Sequence, residues 1–262
     1  MTASTTDPAH ISAAPETASG NVALEIRIAA KVWPPVGGRP EQTVLRNVTL
    51  DIAPRSFVVV SGPSGCGKST LLNIIAGLDG DYDGTIRFAA ADPRLAFIFQ
   101  SPRLLPWRTV EENIALVLPD GDARRANIPE LLSRVGLSGA ETAYPERLSL
   151  GMQRRVAIAR GFILEPDILL MDEPFVSLDD PTADGLRALV LELWHRHPTT
   201  VLFVTHDRRE AVRLATRVVR LGTAPAPGQS SVIGDTPVTL SLADRADPLA
   251  LVAEQSRVFA SP

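Results

Sequence analysis

The 262-residue chain has one cysteine, Cys66, and only 5% aromatic residues. A single thiol excludes an internal disulfide framework and fits a reducing compartment. No apolar run approaches the ~20 residues that a helix needs to cross a bilayer. Basic residues are not in excess: 26 Lys and Arg stand against 30 Asp and Glu, for a net charge of −4. That balance argues against a general nucleic-acid binder, which carries a basic face. Histidine is scarce, and His195 and His197 are two apart, on different helix faces, so they make a poor metal pair. The opening "MTASTTDPAHISAAPETASG" lacks the basic-then-apolar order of a secretory signal, and residues 1–21 are expected to form a disordered tail.

What the chain does have is 45% hydrophobic residues, enough for a sizeable core, arranged in a recurring rhythm. "VALEIRI" (22–28) alternates like a strand, the Pro/Gly-rich "PPVGGRP" (34–40) reads as a loop, and "VTLDI" and "SFVVV" are further strands. "KSTLLNIIAGL" (68–78) predicts a buried helix closed near Gly77, "DGDYDG" a turn, and "LAFIF" (95–99) an apolar strand running into Gln100. Residues 101–160 read as mainly helical, with Thr109 and Glu112 spaced as a capping box. Strands "DILLM", "TVLFV" and "RVVRL" then alternate with helices "ADGLRALVLELWHRH" and "RREAVRLA". Short apolar strands alternating with helices predict an α/β fold, a mostly parallel sheet covered on both faces, interrupted by a helical insert. The expected main domain is 22–222. Residues 223–262 are expected to form an extension, with a loop in "GTAPAPGQSS" and an amphipathic helix in "LADRADPLALVAEQSRVFA".

"GPSGCGKS" (62–69) matches G-x-x-x-x-G-K-[ST], after a strand and at the start of a helix, as phosphate binding demands. The tight path through Gly62, Pro63, Ser64, Gly65, Cys66 and Gly67, continued by Thr70, offers consecutive backbone N–H groups to a β-phosphate. Lys68 then sits between β- and γ-phosphates, and the Ser69 hydroxyl is a magnesium ligand. Cys66, beside a helix N-terminus, is either an activated thiol or a plain loop residue facing nucleotide. "DILLMDEP" (167–174) ends a strand in Asp172, whose carboxylate belongs beside the magnesium, and Glu173 points where water attacks the γ-phosphate.

"PERLSLGMQRRVAIARG" (145–161) holds a second anion site, with Ser149 as helix N-cap and Gly151 in the first turn. Arg154, Arg155 and Arg160 read as a solvated helix face, a dimer rim or a nucleic-acid patch. Because 62–69 already cradles a phosphate, the question is whose phosphate this second site meets.

In this order the motifs resemble those of ABC ATPases, whose signature L-S-G-G-Q stands here as Leu148-Ser149-Leu150-Gly151-Met152. The resemblance covers roughly residues 22–222 and implies an ABC cassette with an N-terminal antiparallel β region, binding ATP and Mg2+. It implies a head-to-tail homodimer in which Ser149 and Gly151 reach the nucleotide held by the other subunit. Gln100 resembles the family's Q-loop glutamine at magnesium and water, Asp179 in "SLDD" the aspartate crossing the dimer interface, and His206 in "VTHD" the histidine on the γ-phosphate. Trp33 matches the aromatic that stacks on adenine, with ordinary core packing as the alternative. Lys68, Gln100, Glu173 and His206 are thus the expected catalytic residues, and Ser69, Gln100 and Asp172 the expected magnesium ligands. Leu150 costs little if its backbone is helical, but about 1–2 kcal/mol if its φ is positive.

"QSPRLLPWRTVEENI" (100–114) resembles the Q-loop segment of the nitrate/sulfonate/taurine importers. Leu104, Leu105 and Trp107, stiffened by Pro102 and Pro106, suit a knob that docks on a transmembrane permease; a loop tucked onto its own core is the alternative. The resemblance implies a peripheral ATPase subunit on the cytoplasmic face of a bacterial membrane, which powers uptake through a separate permease. An extracytoplasmic solute-binding protein is then an indirect partner, and no nucleic acid is involved. The competing class is a soluble ABC ATPase that remodels a macromolecule. The solute does not touch this subunit, so nitrate, alkanesulfonates, taurine, bicarbonate and pyrimidine precursors stay open.

Overall fold

The computed structural model describes residues 22–35, 41–223, 229–241 and 244–260. The expected tail (1–21) and parts of the two expected loops (36–40 and 224–228) lie outside the described residues. In chain order the elements are β1 (Leu24–Trp33), β2 (Gln42–Ile52), β3 (Phe57–Ser61), α1 (Lys68–Ile75), β4 (Asp83–Phe88) and β5 (Leu95–Ile98). The helices α2 (Val110–Ala115), α3 (Ile128–Arg134) and α4 (Leu150–Phe162) follow. The chain then runs through β6 (Ile168–Asp172), α5 (Asp180–Arg196), β7 (Thr200–Thr205), α6 (Arg208–Leu214), β8 (Arg217–Thr223), β9 (Ser230–Pro237) and α7 (Pro248–Val258).

One sheet joins these strands in the order β4-β1-β2-β9-β8-β3-β7-β6-β5. β3 pairs in parallel with β7 and β8, and β6 pairs in parallel with β5 and β7. β1 pairs antiparallel with β2 and β4. β3 is buried throughout because a core covers the sheet on each of its faces. Phe57 and Val59 join one core with Leu169, Met171 and Phe203, under the later helices. Val58 and Val60 join a second core with Leu71, Leu72 and the inner residues of β1 and β2. The insert α2–α4 leaves the sheet after β5 and returns at β6. Its first helix starts on the expected capping box: Thr109 N donates to Glu112 Oε2 at 2.8 Å, and Glu112 N to Thr109 Oγ1 at 3.2 Å.

The sheet runs across the division expected at residue 222, which falls inside β8. β9 pairs antiparallel with β8 and touches β2 at Leu45 and Ser230. The expected C-terminal helix begins only at Pro248, where Asp247 caps it. The chain around "DGDYDG" likewise turns straight into β4, a strand absent from the sequence-based expectation.

α7 packs on α6, the helix that follows His206. Arg245 donates to the carbonyls of Arg213 and Ala215 at 2.8 and 2.7 Å. Buried Glu254 accepts from Thr239 N at 2.6 Å and from Arg257 Nε at 2.9 Å. The Arg257 guanidinium, aided by the Thr239 N–H, holds the Glu254 carboxyl down to about 2. A depressed folded-state value means that this stabilisation is full above the ordinary carboxylate value of 4.5 and is lost as pH falls toward 2. Glu254→Gln is expected to cost about 1.5–3 kcal/mol at neutral pH, the worth of a charge-assisted hydrogen bond. In thermal melts the gap between wild type and variant closes on acidification; a gap independent of pH would show that the charge contributes nothing.

Candidate active site

The carboxyl ends of β3, β6 and β7 bring Lys68, Ser69, Asp172, Glu173 and His206 together, at the end of the strands where open α/β sheets bind ligands. The 62–69 loop needs its glycines for different reasons. Gly65 and Gly67 have φ of 80° and 89°, and a Cβ on Gly67 would meet Leu45 at 2.7 Å. Gly62 has an ordinary φ, but a Cβ there would stand 2.3 Å from the Leu221 carbonyl oxygen, so its role is close packing on β8.

Lys68 is 5% exposed and turned back onto its own loop, where Nζ donates to the carbonyls of Gly62 and Pro63, each at 2.9 Å. The same ammonium lies 3.9 Å from Glu173 Oε1. Glu173 Oε2 is 3.0 Å from His206 Nδ1. Ser69 Oγ donates to Asp172 Oδ1 at 3.0 Å. Burial pushes the Asp172 carboxyl up, against the lowering effect of the Ser69 hydrogen bond. Glu173 sits just past β6 with φ of 42°, unusual for a residue with a Cβ, and its N–H donates to the Val204 carbonyl at 3.0 Å. That kink faces its carboxylate toward both Lys68 and His206.

A cleft of about 360 Å³ opens over this cluster, lined by Trp33, Ser64, Gly65, Gly67, Lys68, Ser69, Thr70, Gln100 and Glu173. Gln42 and Val44 of β2 complete it, and neither was selected from sequence. Gln42 pairs across from Trp33 in the β1–β2 register, so closing a hairpin around 34–40 is the signal that points to it. Trp33 is 44% exposed at the cleft rim, not packed in the core. The buried Lys31 ammonium lies 4.2 Å from the Trp33 ring centroid and donates to Asp79 Oδ1 at 2.8 Å.

Cys66 departs from both expectations. It is 7% exposed, packs in the second core beneath the loop and does not line the cleft. Burial raises its thiol rather than activating it, outweighing the Lys68 charge.

Ser149 caps α4 by accepting from Met152 N at 3.3 Å, and neither it nor Gly151 lines the cleft beside Lys68. Leu150 is exposed and has no positive φ, so its replacement of glycine is free of backbone strain. A Cβ on Gly151 would stand 2.9 Å from Thr182 Cγ2, so this glycine lets α4 approach the start of α5. Asp179 caps α5 there, accepting from Thr182 N at 3.0 Å, a bond that lowers its carboxyl. The three arginines of α4 are neither a solvated face nor a basic patch. Arg154 donates to the carbonyls of Pro174 and Val176, Arg155 to Val135, and Arg160 to Pro102 and Arg103.

Leu104 is half-buried against the first core, so it is not part of a free knob. Leu105 is half-buried too, while Trp107 is 69% exposed. A larger cavity, about 570 Å³, lies at the opposite, amino ends of the parallel strands beside Arg55, Arg94 and Arg196. It contains none of the residues selected from sequence.

The oxygen donors of Ser69, Asp172 and Gln100 fit Mg2+, which takes few protein ligands and completes its shell with phosphate and water. Among the described residues no cluster of three or more His, Cys, Asp or Glu forms an all-protein metal cage.

A family model described as "ABC transporter" matches residues 45–176, spanning the phosphate loop and the end of β6. The chain belongs to the ABC transporter family. Over 210 residues this ABC protein is 45% identical to the aliphatic sulfonates import ATP-binding protein SsuB of Bacillus subtilis (strain 168), covering 78% of this chain and 82% of the relative. It is 41% identical over 244 residues to SsuB 2 of Burkholderia cenocepacia (strain HI2424), with 90% and 86% covered. Its fold matches a dimeric structure of the ATP-binding cassette MJ0796 in a post-hydrolysis state bound to ADP and Pi. That match has a TM-score of 0.69 and 30% identity, with 83% of this chain and all of the other covered. Among the described residues no helix is long and apolar enough to cross a membrane.

Proposed function

We propose that this chain is the ATP-hydrolysing subunit of an importer for aliphatic sulfonates, working as a head-to-tail dimer on the cytoplasmic face of the membrane against a separate permease. The observation that carries the ATPase part is the convergence of Lys68, Ser69, Asp172, Glu173 and His206 at the carboxyl ends of β3, β6 and β7. The import names of the relatives support the transport part and the solute class. They weigh against the soluble remodelling alternative.

Phosphoryl transfer to water needs a held phosphate, an oriented nucleophile and neutralised charge. Lys68 exchanges its two loop carbonyls for phosphate oxygens when ATP enters. Glu173 orients the attacking water and takes its proton, and His206, on the other carboxylate oxygen, faces the γ-phosphate. Ser69, Asp172 and Gln100 hold Mg2+, which when bound screens the phosphate charge. Trp33, steadied by Lys31, offers its exposed face to adenine. Ser149 and Gly151, outside this cleft, serve the partner's nucleotide.

The permease meets the chain at Leu105 and Trp107. Asn113 fixes this turn from inside: its Oδ1 accepts from Leu105 N at 2.8 Å, and its Nδ2 donates to Leu105 O at 3.1 Å. The loop is therefore preshaped, and docking orders little. Burying Leu105 and Trp107 is worth several kcal/mol at about 25 cal/mol per Å² before association costs. The double variant Leu105→Ser, Trp107→Ser is expected to fold, bind ATP normally, leave the membrane fraction and abolish sulfonate uptake. Normal membrane association and uptake by this variant would place the docking surface elsewhere.

A further inference from the structure

Lys31 is 1% exposed, a burial that a lysine tolerates only when its charge is matched and its donors are used. Nζ donates to Asp79 Oδ1 at 2.8 Å and to the Asp81 carbonyl at 2.6 Å, and it stands 3.6 Å from Asp81 Oδ2. The Trp33 ring lies over it, with the centroid 4.2 Å from the ammonium. A buried ion pair is a weak way to add stability, because desolvation offsets most of the attraction. Here the ammonium lies against a tryptophan that is half-exposed and lines the cleft beside Lys68. One face of the indole is taken by the cation, which leaves the other for a ligand.

Two local features aim this pair. The β1–β2 register shifts between Lys31 and Val32, a bulge of the kind that re-aims side chains at a site. Trp33 then pairs with Gln42, which lines the same cleft. Asp79 follows α1, where Gly77 at φ of 69° turns the chain and Asp79 N donates to the Asn73 carbonyl at 3.2 Å. α1 begins at Lys68, so the phosphate loop and the carboxylate that holds Lys31 flank one eight-residue helix. Leu45, opposite Lys31 on β2, stands against Gly67 of that loop.

We propose that Lys31 is a specificity-determining residue of the nucleotide site. It fixes the plane of Trp33 at a set distance from the phosphate loop, so that the cleft selects a triphosphate carrying a flat base over triphosphate alone. Lys31 acts through the ring and is a positioning residue. The inference rests on the proposed stacking of adenine on Trp33.

The test titrates the full chain calorimetrically with ATP and with inorganic tripolyphosphate, in EDTA to prevent turnover. The ratio of the two affinities isolates what the nucleoside adds. Trp33→Ala is expected to lower this ratio about tenfold, the loss of one base stack. Lys31→Met keeps the stem and removes the charge. It is expected to lower the ratio about threefold or more and to leave tripolyphosphate affinity unchanged. Lys31→Arg puts a cation back under the ring and is expected to return the ratio toward wild type. In a Trp33→Ala background, Lys31→Met is expected to lower the ratio no further.

A wild-type ratio in Lys31→Met overturns the assignment. Equal loss of affinity for both ligands does so too, because Lys31 then only supports the fold. A ratio in Lys31→Arg as low as in Lys31→Met also counts against it, since the cation is then not what acts. A wild-type ratio in Trp33→Ala removes the base site itself, and the role of Lys31 with it. A lowered ratio there beside an unchanged one in Lys31→Met removes only the role of Lys31. If Lys31→Met does not fold, the double variant Lys31→Met, Asp79→Asn, which removes both charges of the pair, carries the measurement with the same outcomes.

Discussion

Glu173→Gln is expected to stop ATP turnover while leaving nucleotide affinity nearly unchanged. Glutamine keeps the size of the side chain and an oxygen within reach of His206 Nδ1, which stands 3.0 Å from Glu173 Oε2. It removes the one property that the proposed reaction needs there, the capacity to take a proton from water. General-base catalysis is worth about 10²–10⁴ in rate, so kcat is expected to fall by that factor. The phosphate-holding parts, Lys68 and the 62–69 backbone, are untouched, so ATP binds as before. With hydrolysis blocked, the ATP-bound dimer of the proposed function is expected to accumulate. Phosphate release under saturating MgATP and size-exclusion chromatography with and without nucleotide check both parts. Near-normal turnover would remove Glu173 from the role, and the positive φ at this residue would then need another explanation.

The parts of this fold that were legible share one property: their burial shows in the local sequence. β3, β6 and β7 are covered on both faces and read as unbroken apolar runs. β4 did not read as a strand because it lies at the sheet edge, with no fully buried residue and with Gly84 at φ of 147° pressed against the Arg27 carbonyl. β9 was hidden for a related reason. "SSVIGDTP" has the composition of a loop, and what makes it a strand is the edge of β8 beside it.

At the site, the phosphate loop and the Asp172–Glu173 pair were legible because a short sequence fixes both backbone and chemistry. Side-chain destinations were not. Cys66 stands in the phosphate motif yet points into the core, because the loop's tight turn directs it beneath the strand ends. The α4 arginines look like a charged surface in sequence, but their guanidinium groups end on carbonyls up to 58 residues away. Leu104 looks like part of an exposed knob until the core beside it is present to receive it.

Ser149→Arg is expected to separate ATP binding from ATP-dependent assembly. Ser149 lies outside the cleft that holds Lys68 and Trp33, and it is exposed at the start of α4. Losing its cap on Met152 N costs about 0.5–2 kcal/mol, tolerable for a domain of ordinary stability. In the proposed dimer an arginine there puts a bulky side chain against the partner's nucleotide, so the monomer should bind ATP with wild-type affinity and fail to dimerise. Turnover that depends on the composite site should fall about 10²-fold or more, the cost of misplacing a positioning group. Lys68→Ala should also be inactive as a homodimer, for want of phosphate binding. Mixing the two variants pairs the intact phosphate loop of one chain with the intact Ser149 of the other, and leaves the second site broken on both sides. Activity should therefore reappear in the mixture, at no more than one working site per dimer. Fluorescent-nucleotide binding to the isolated variant and phosphate release by the mixture are the two measurements. If Ser149→Arg abolishes ATP binding by the monomer, or if the mixture stays as inactive as its parents, Ser149 does not act across the dimer.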